Sequence, residues 1–147
     1  MVTPTCGYMR DGLENAPSAN VDQPAADRLA DELRAFTSAL LQPDALSLYR
    51  LIIADGLRFA ELARTFDQSG TKVIRQRIAE ILETGGVPAN RSMQVAAEVV
   101  LMALGDAYQR AVLGLVEEGD GEAFARQIGA AVVHAFTPAS LAFTAPP

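Results

Sequence analysis

The chain has no tryptophan, one cysteine and one histidine in 147 residues. A single thiol, Cys6, forms no intrachain disulfide and builds no cysteine-based zinc cluster. Aromatic residues make up 6%, while alanine and leucine are abundant. That balance favours closely packed helices over a β-sandwich. Positive charge is also short: 12 Lys and Arg stand against 18 Asp and Glu, a formal net charge of −6. An acidic chain has no general attraction to phosphate, so direct nucleic-acid binding by this chain is not expected. No stretch approaches the roughly 20 apolar residues of a membrane span. The N-terminus shows no basic region followed by an apolar core, as a secretory signal would. The expectation is a cytoplasmic protein with no membrane partner.

Half the residues are hydrophobic and a fifth are charged, which suits one globular domain with a real core. Residues 1–23 are weakly patterned and read as an irregular leader; 138–147 read as a tail ending in Pro-Pro. Between them the 3.6-residue period recurs. Pro24 to Leu41 carries Leu29, Leu33, Phe36 and Leu40 as one stripe, with Asp22 as expected N-cap. Gln42-Pro43-Asp44 ends that helix and starts the next. Thr71 to Thr84 carries Ile74, Ile78, Ile81 and Leu82, and Gly85-Gly86-Val87-Pro88 stops it. Ala89 to Ser92 reads as loop, with Asn90 or Ser92 as cap. Met93 to Val116 reads as the longest helix, with Gly105 and Gly114 as weak points, and Glu122 to Phe136 as the last.

The densest pattern lies in Tyr49 to Gly70, YRLIIADGLRFAELARTFDQSG. Leu48, Tyr49, Leu51 and Ile52 make one helix face, Gly56 predicts a break, and Phe59, Leu62, Ala63 and Phe66 resume the spacing. Asp67 to Gly70 reads as a turn, with Gly70 free to adopt a left-handed backbone. Arg50, Leu51, Ala54, Asp55, Arg58, Phe59, Glu61, Leu62, Ala63, Phe66 and Gly70 give this stretch its resemblance to the C-terminal domain of tetracycline-repressor-like (TetR) regulators of the AefR-like group. Ala60 departs from that pattern, where proline is usual, which leaves the start of its helix open.

The resemblance implies an all-α bundle of about five to six helices over residues 24–137, the last two forming a dimerisation hairpin. It implies a dimerising, small-molecule-sensing regulatory domain with no enzymatic activity and no cofactor. It also makes the leader readable as the tail of a helix from a DNA-binding unit. Such regulators carry an N-terminal helix-turn-helix, and the residues before Pro24 are too few and too broken to supply one. DNA contact is thus expected only through a missing unit. The alternative is a stand-alone helical protein that heterodimerises with a full-length regulator.

Two site expectations follow. A stripe of small residues on the last two helices is expected to meet a second copy: Ala96, Val100, Ala103, Ala107, Ala111, Phe124, Ile128, Ala131, Val132 and Ala135. The effector pocket that the resemblance implies would be lined by Phe36, Tyr49, Ile53, Phe59, Phe66, Met102 and Tyr108; each also fits plain core. Catalytic patterns are missing. His134 reads as a helix-end residue, the acidic turn Glu117 to Glu122 lacks calcium-loop spacing, and no Glu-x-x-His pair supports a di-iron bundle. No catalytic or metal residue is expected.

Overall fold

The computed structural model describes residues 22–138, and the leader and tail readings lie largely outside them. The described residues fold into six α-helices and no strand: α1 Ala25–Leu40, α2 Pro43–Asp55, α3 Ala60–Phe66, α4 Lys72–Thr84, α5 Ala89–Val112 and α6 Asp120–Ala135. A π-helical turn, Asp67–Thr71, joins α3 to α4.

The stripe on α1 behaves as its period requires. Leu29 and Leu33 are fully buried, and Phe36 and Leu40 nearly so. On α4, Ile74, Ile78, Ile81 and Leu82 turn inward to meet it. Burying each such side chain stabilises the fold by about 1.5–3 kcal/mol relative to exposure. Gly85 ends α4 at a tight junction, where a Cβ would come within 2.9 Å of Ala25 and closer still to the Phe136 ring. The start of α1 and the end of α6 therefore close over the end of α4.

Helices α5 and α6 run antiparallel. Gln127 reaches Ala103 and Leu104, while His134, about two turns further along α6, reaches back to Glu98. Between them Val95, Ala96, Val99, Ala103, Ala131 and Ala135 are all fully buried. The small side chains let the two backbones approach closely.

Several boundaries differ from expectation. Pro24, not Asp22, is the N-cap of α1, and it makes no side-chain cap. Residues 89–92 are helical: Pro88 caps α5, and the Ser92 hydroxyl donates to Ala89 O instead of capping. Proline there fixes the entry to the first turn while also ending the preceding segment, so one residue marks both a stop and a start. Helix α5 ends at Val112, because Gly114 adopts φ +76°. Asp67 to Gly70 is no reverse turn. The chain stays helical through it, and Gly70 is buried at negative φ.

Candidate functional site

A cavity of about 210 Å³ lies among α1, α2, the π turn, α4 and α5. Four rings form much of its wall: Phe36 from α1, Tyr49 from α2, Phe66 from the end of α3, and Tyr108 from α5. Tyr49 is the centre of this set. Its ring centroid stands 5.5 Å from that of Tyr108 and 5.9 Å from that of Phe66, both tilted. Such offset geometries suit the ring quadrupoles. Leu40, Val100, Leu101 and Leu104 supply aliphatic wall, and Thr71 and Arg75 are the polar contributions besides the phenols.

Burial pushes the Tyr108 phenol well above the usual range, with the neighbouring Tyr49 adding to the effect and Arg50 opposing it. Tyr108 thus stays a neutral phenol at any physiological pH, able to donate or accept a hydrogen bond.

Three residues expected at this wall lie elsewhere. Ile53 is 62% exposed and Phe59 54%. Phe59 borders a shallow surface groove with Leu51, Arg58 and Leu62. Met102 is half-buried and packs against the core without reaching the cavity. Ile53 follows Tyr49 by one turn on the same side of α2, but the last turn of that helix is largely uncovered, with Leu51, Ile53 and Ala54 all exposed, and α2 ends at Asp55 before the chain reaches Phe59.

The residues expected at a dimer interface sit inside one chain. Ala96, Ala103, Ala131 and Ala135 have no exposed surface, and Val100, Ala107, Ala111, Phe124 and Ile128 are buried with them; Val132 is half-buried. Nine of the ten are thus covered within their own subunit and leave little surface for another, while Val132 keeps part of its own. The stripe is the inner seam of the α5–α6 hairpin. The outward face of α6 is a different set: Glu122, Ala125, Arg126, Gly129, Ala130 and Val133, all exposed at helical spacing.

Three features on or near the cavity escaped the sequence reading. Helix α5 is broken at Gly105, which adopts φ 46°, ψ −153°, a conformation essentially restricted to glycine. Leu104 and Tyr108 line the cavity on either side of that break. At its end α5 is held by Arg50 of α2, which donates through Nε to Val112 O at 2.7 Å and through Nη2 to Ala111 O at 2.9 Å. Among the described residues, Arg75 brings the only charged side chain to the cavity wall. Glycine at 105 was visible as a weak point, but no local signal distinguishes a kink from a weakened helix.

Among the described residues no cluster of three or more His, Cys, Asp or Glu could hold a metal ion, and no helix is long and apolar enough to cross a membrane. His134 pairs with Glu98 at 2.8 Å, away from the cavity wall.

The family model described as AefR-like transcriptional repressor, C-terminal domain, matches residues 27–139. Comparisons with curated proteins and with solved structures gave no match. The matched region covers α1 from Asp27 onward and the other five helices, with the cavity and the hairpin, and the chain belongs to the AefR-like C-terminal domain group of the TetR family of transcription regulators.

Proposed function

We propose that this chain is the dimerising, ligand-sensing part of a cytoplasmic TetR-like regulator, and that it does not itself bind DNA. A small apolar or amphipathic molecule enters the cavity ringed by Phe36, Tyr49, Phe66 and Tyr108. One observation carries the reading: the wall includes residues on both sides of the α5 break at Gly105. A ligand touching Leu104 and Tyr108 together touches two segments whose relative angle is set at one glycine. Any difference in its affinity for two such angles shifts their populations. The hairpin carries that change to its outer face, where a second copy would dock and set the spacing of paired DNA-binding units.

The acidic net charge supports the absence of direct DNA contact. Family membership supports a regulatory role over an enzymatic one.

The test is calorimetric titration with small aryl and alkyl compounds, repeated on L101W. Leu101 borders the cavity yet is 65% exposed, so a tryptophan there can block the mouth without straining the core. Saturable binding that L101W abolishes is the expected result. Equal binding by both proteins, or by neither, would remove the cavity from the account.

A further inference from the structure

We infer that the ligand of this cavity is an anion, a small carboxylate with an apolar and preferably aromatic tail, held by Arg75. The inference rests on the cavity reading above and narrows the class of molecule it admits.

Carboxylates outnumber cations in this chain by 18 to 12, yet among the described residues the cavity wall has no Asp or Glu and one Arg. That local reversal of sign selects against cations and for anions. Arg75 is also unusual in its own bonding. Its Nε is buried without a hydrogen-bond partner. Among the described residues no carboxylate forms an ion pair with its guanidinium, whereas Arg77 on the same helix is paired with Glu32. Arg28, whose Nε is likewise buried and unpartnered, acts on the Glu32 carboxylate.

A buried guanidinium donor with nothing to donate to is costly, and native structures leave few such groups without a reason. A carboxylate in the cavity supplies the missing acceptor. Arginine's fork matches a carboxylate with two parallel N–H···O bonds, and a guanidinium is lightly hydrated, so it gives up water at modest cost. Thr71 lies one helical turn before Arg75 and lines the same cavity, so a hydroxyl-bearing residue and the arginine share one side of its wall. The Tyr49, Phe66 and Tyr108 rings accept the tail, and an aryl group can stack against them. The volume of about 210 Å³ falls below the roughly 300–1,000 Å³ of drug-sized pockets. The tail is therefore short: one ring or a few methylenes.

The experiment compares 3-phenylpropanoate with its neutral isostere 3-phenylpropanamide, by calorimetry, on the whole chain. The unaltered protein should bind the acid about ten- to a hundredfold more tightly than the amide, as a charge-assisted bond implies. R75Q should bring that ratio to about one; R75K, which keeps charge without the fork, should fall between. Circular dichroism confirms that each variant is folded, and should R75Q not fold, R75K and the unaltered protein still give the ratio. Equal affinity for acid and amide, or a preference that survives R75Q, overturns the assignment to Arg75. Amide binding blocked by L101W, with no preference for the acid, sinks this inference and leaves the cavity reading standing. Failure of both compounds to bind removes both.

Discussion

Gln127 of α6 fills the break that Gly105 makes in α5. Its Nε2 donates to Ala103 O at 3.0 Å and to Leu104 O at 2.8 Å, and its Oε1 accepts from the Ala107 amide at 3.2 Å. One amide thus satisfies the two carbonyls before the break and an N–H after it, groups that a continuous helix would have paired internally.

A Cβ at residue 105 would lie 2.9 Å from the Gln127 amide carbon, at a backbone angle of φ +46°. G105A should therefore destabilise the fold by about 1–3 kcal/mol, the cost of a non-glycine residue in such a region. Q127A should cost a similar amount by leaving buried backbone groups unpaired, about 1–3 kcal/mol. Urea denaturation measures both. The double variant should cost less than the sum, since each change already disturbs the same staple. Strict additivity, or a stabilised G105A, would mean that α5 straightens freely and that the break is no device.

Arg50 should act as a C-terminal cap for α5. Its fork meets the last carbonyls of that helix, where a positive charge also complements the helix dipole. The side chain is largely exposed, so R50A should cost about 1–2 kcal/mol, less than a fully buried charged hydrogen bond. R50K should recover only part of the loss, because an ammonium cannot span two carbonyls as the fork does. Amide hydrogen exchange should speed up in the last turn of α5 before it does in α4. Unchanged exchange at Arg110 to Leu113 would contradict the cap.

Much of this fold is legible along the chain. The stripes on α1 and α4 were readable because the 3.6-residue period records which side of a helix is apolar. Phe36 lies on the α1 stripe and Tyr49 on the apolar side of α2, but that they share a pocket with Phe66 and Tyr108 was implied by the family resemblance and not by the period. What the period does not record is which of two surfaces an apolar face meets. Ala96, Ala103 and Ala131 suit a seam within one chain as well as a seam between two, and the fold uses them within one. Long-range pairings are equally silent. Gln127 and Gly105 are 22 positions apart, Arg50 and Val112 are 62, and neither residue type carries any mark of its partner. The segment from Asp67 to Gly70 misleads for a different reason: its polar and glycine residues look like a turn, but burial of Gly70 keeps the backbone helical.

Glu32 should give the fold an inverse dependence on acid. Burial pushes its carboxyl above the usual range, against the opposing pull of Arg77, which pairs with it at 2.9 Å, and of Arg28. With the folded value raised, the native state binds the proton more tightly than the unfolded chain. Stability from this group is then fully present below the unfolded value and declines as pH rises through the folded one. The stability of the unaltered protein minus that of E32Q should therefore grow on acidification from neutrality to about pH 4. Chemical denaturation at stepped pH checks the slope, and a difference that shrinks on acidification would refute it.

Glu98 should behave in the opposite sense. The hydrogen bond from His134 holds its carboxyl below the usual range, with Gln94 contributing a second. A depressed folded value gives stability that is present above the unfolded value and lost as pH falls through the folded one. Because the pair is well exposed, the effect on global stability is small, and the site itself is the better readout. Carboxyl NMR titration should find Glu98 shifted upward in H134A, and upward by less in Q94A. Titration in both variants unchanged from that of the unaltered protein would show that neither bond sets the value.

The outer face of α6 gives the dimer proposal a sharp test. Ala125, Gly129, Ala130 and Val133 form an exposed run of small and apolar side chains on one side of the helix, bordered by Arg126 and Glu122. Val133 is 69% exposed, so V133R meets no core atom and should leave folding within about 0.5 kcal/mol of the unaltered chain. If two copies join across this face, a pair of arginines brought together near a twofold axis should push a micromolar dimer to monomer in sedimentation. Ala103 provides the contrast: it has no exposed surface, so A103L should lower stability through overpacking, by about 1–3 kcal/mol, without acting on assembly directly. A V133R protein with undiminished dimer mass would move the interface off α6. Should the unaltered chain sediment as a monomer, the two-copy route from cavity to DNA spacing would fail with it.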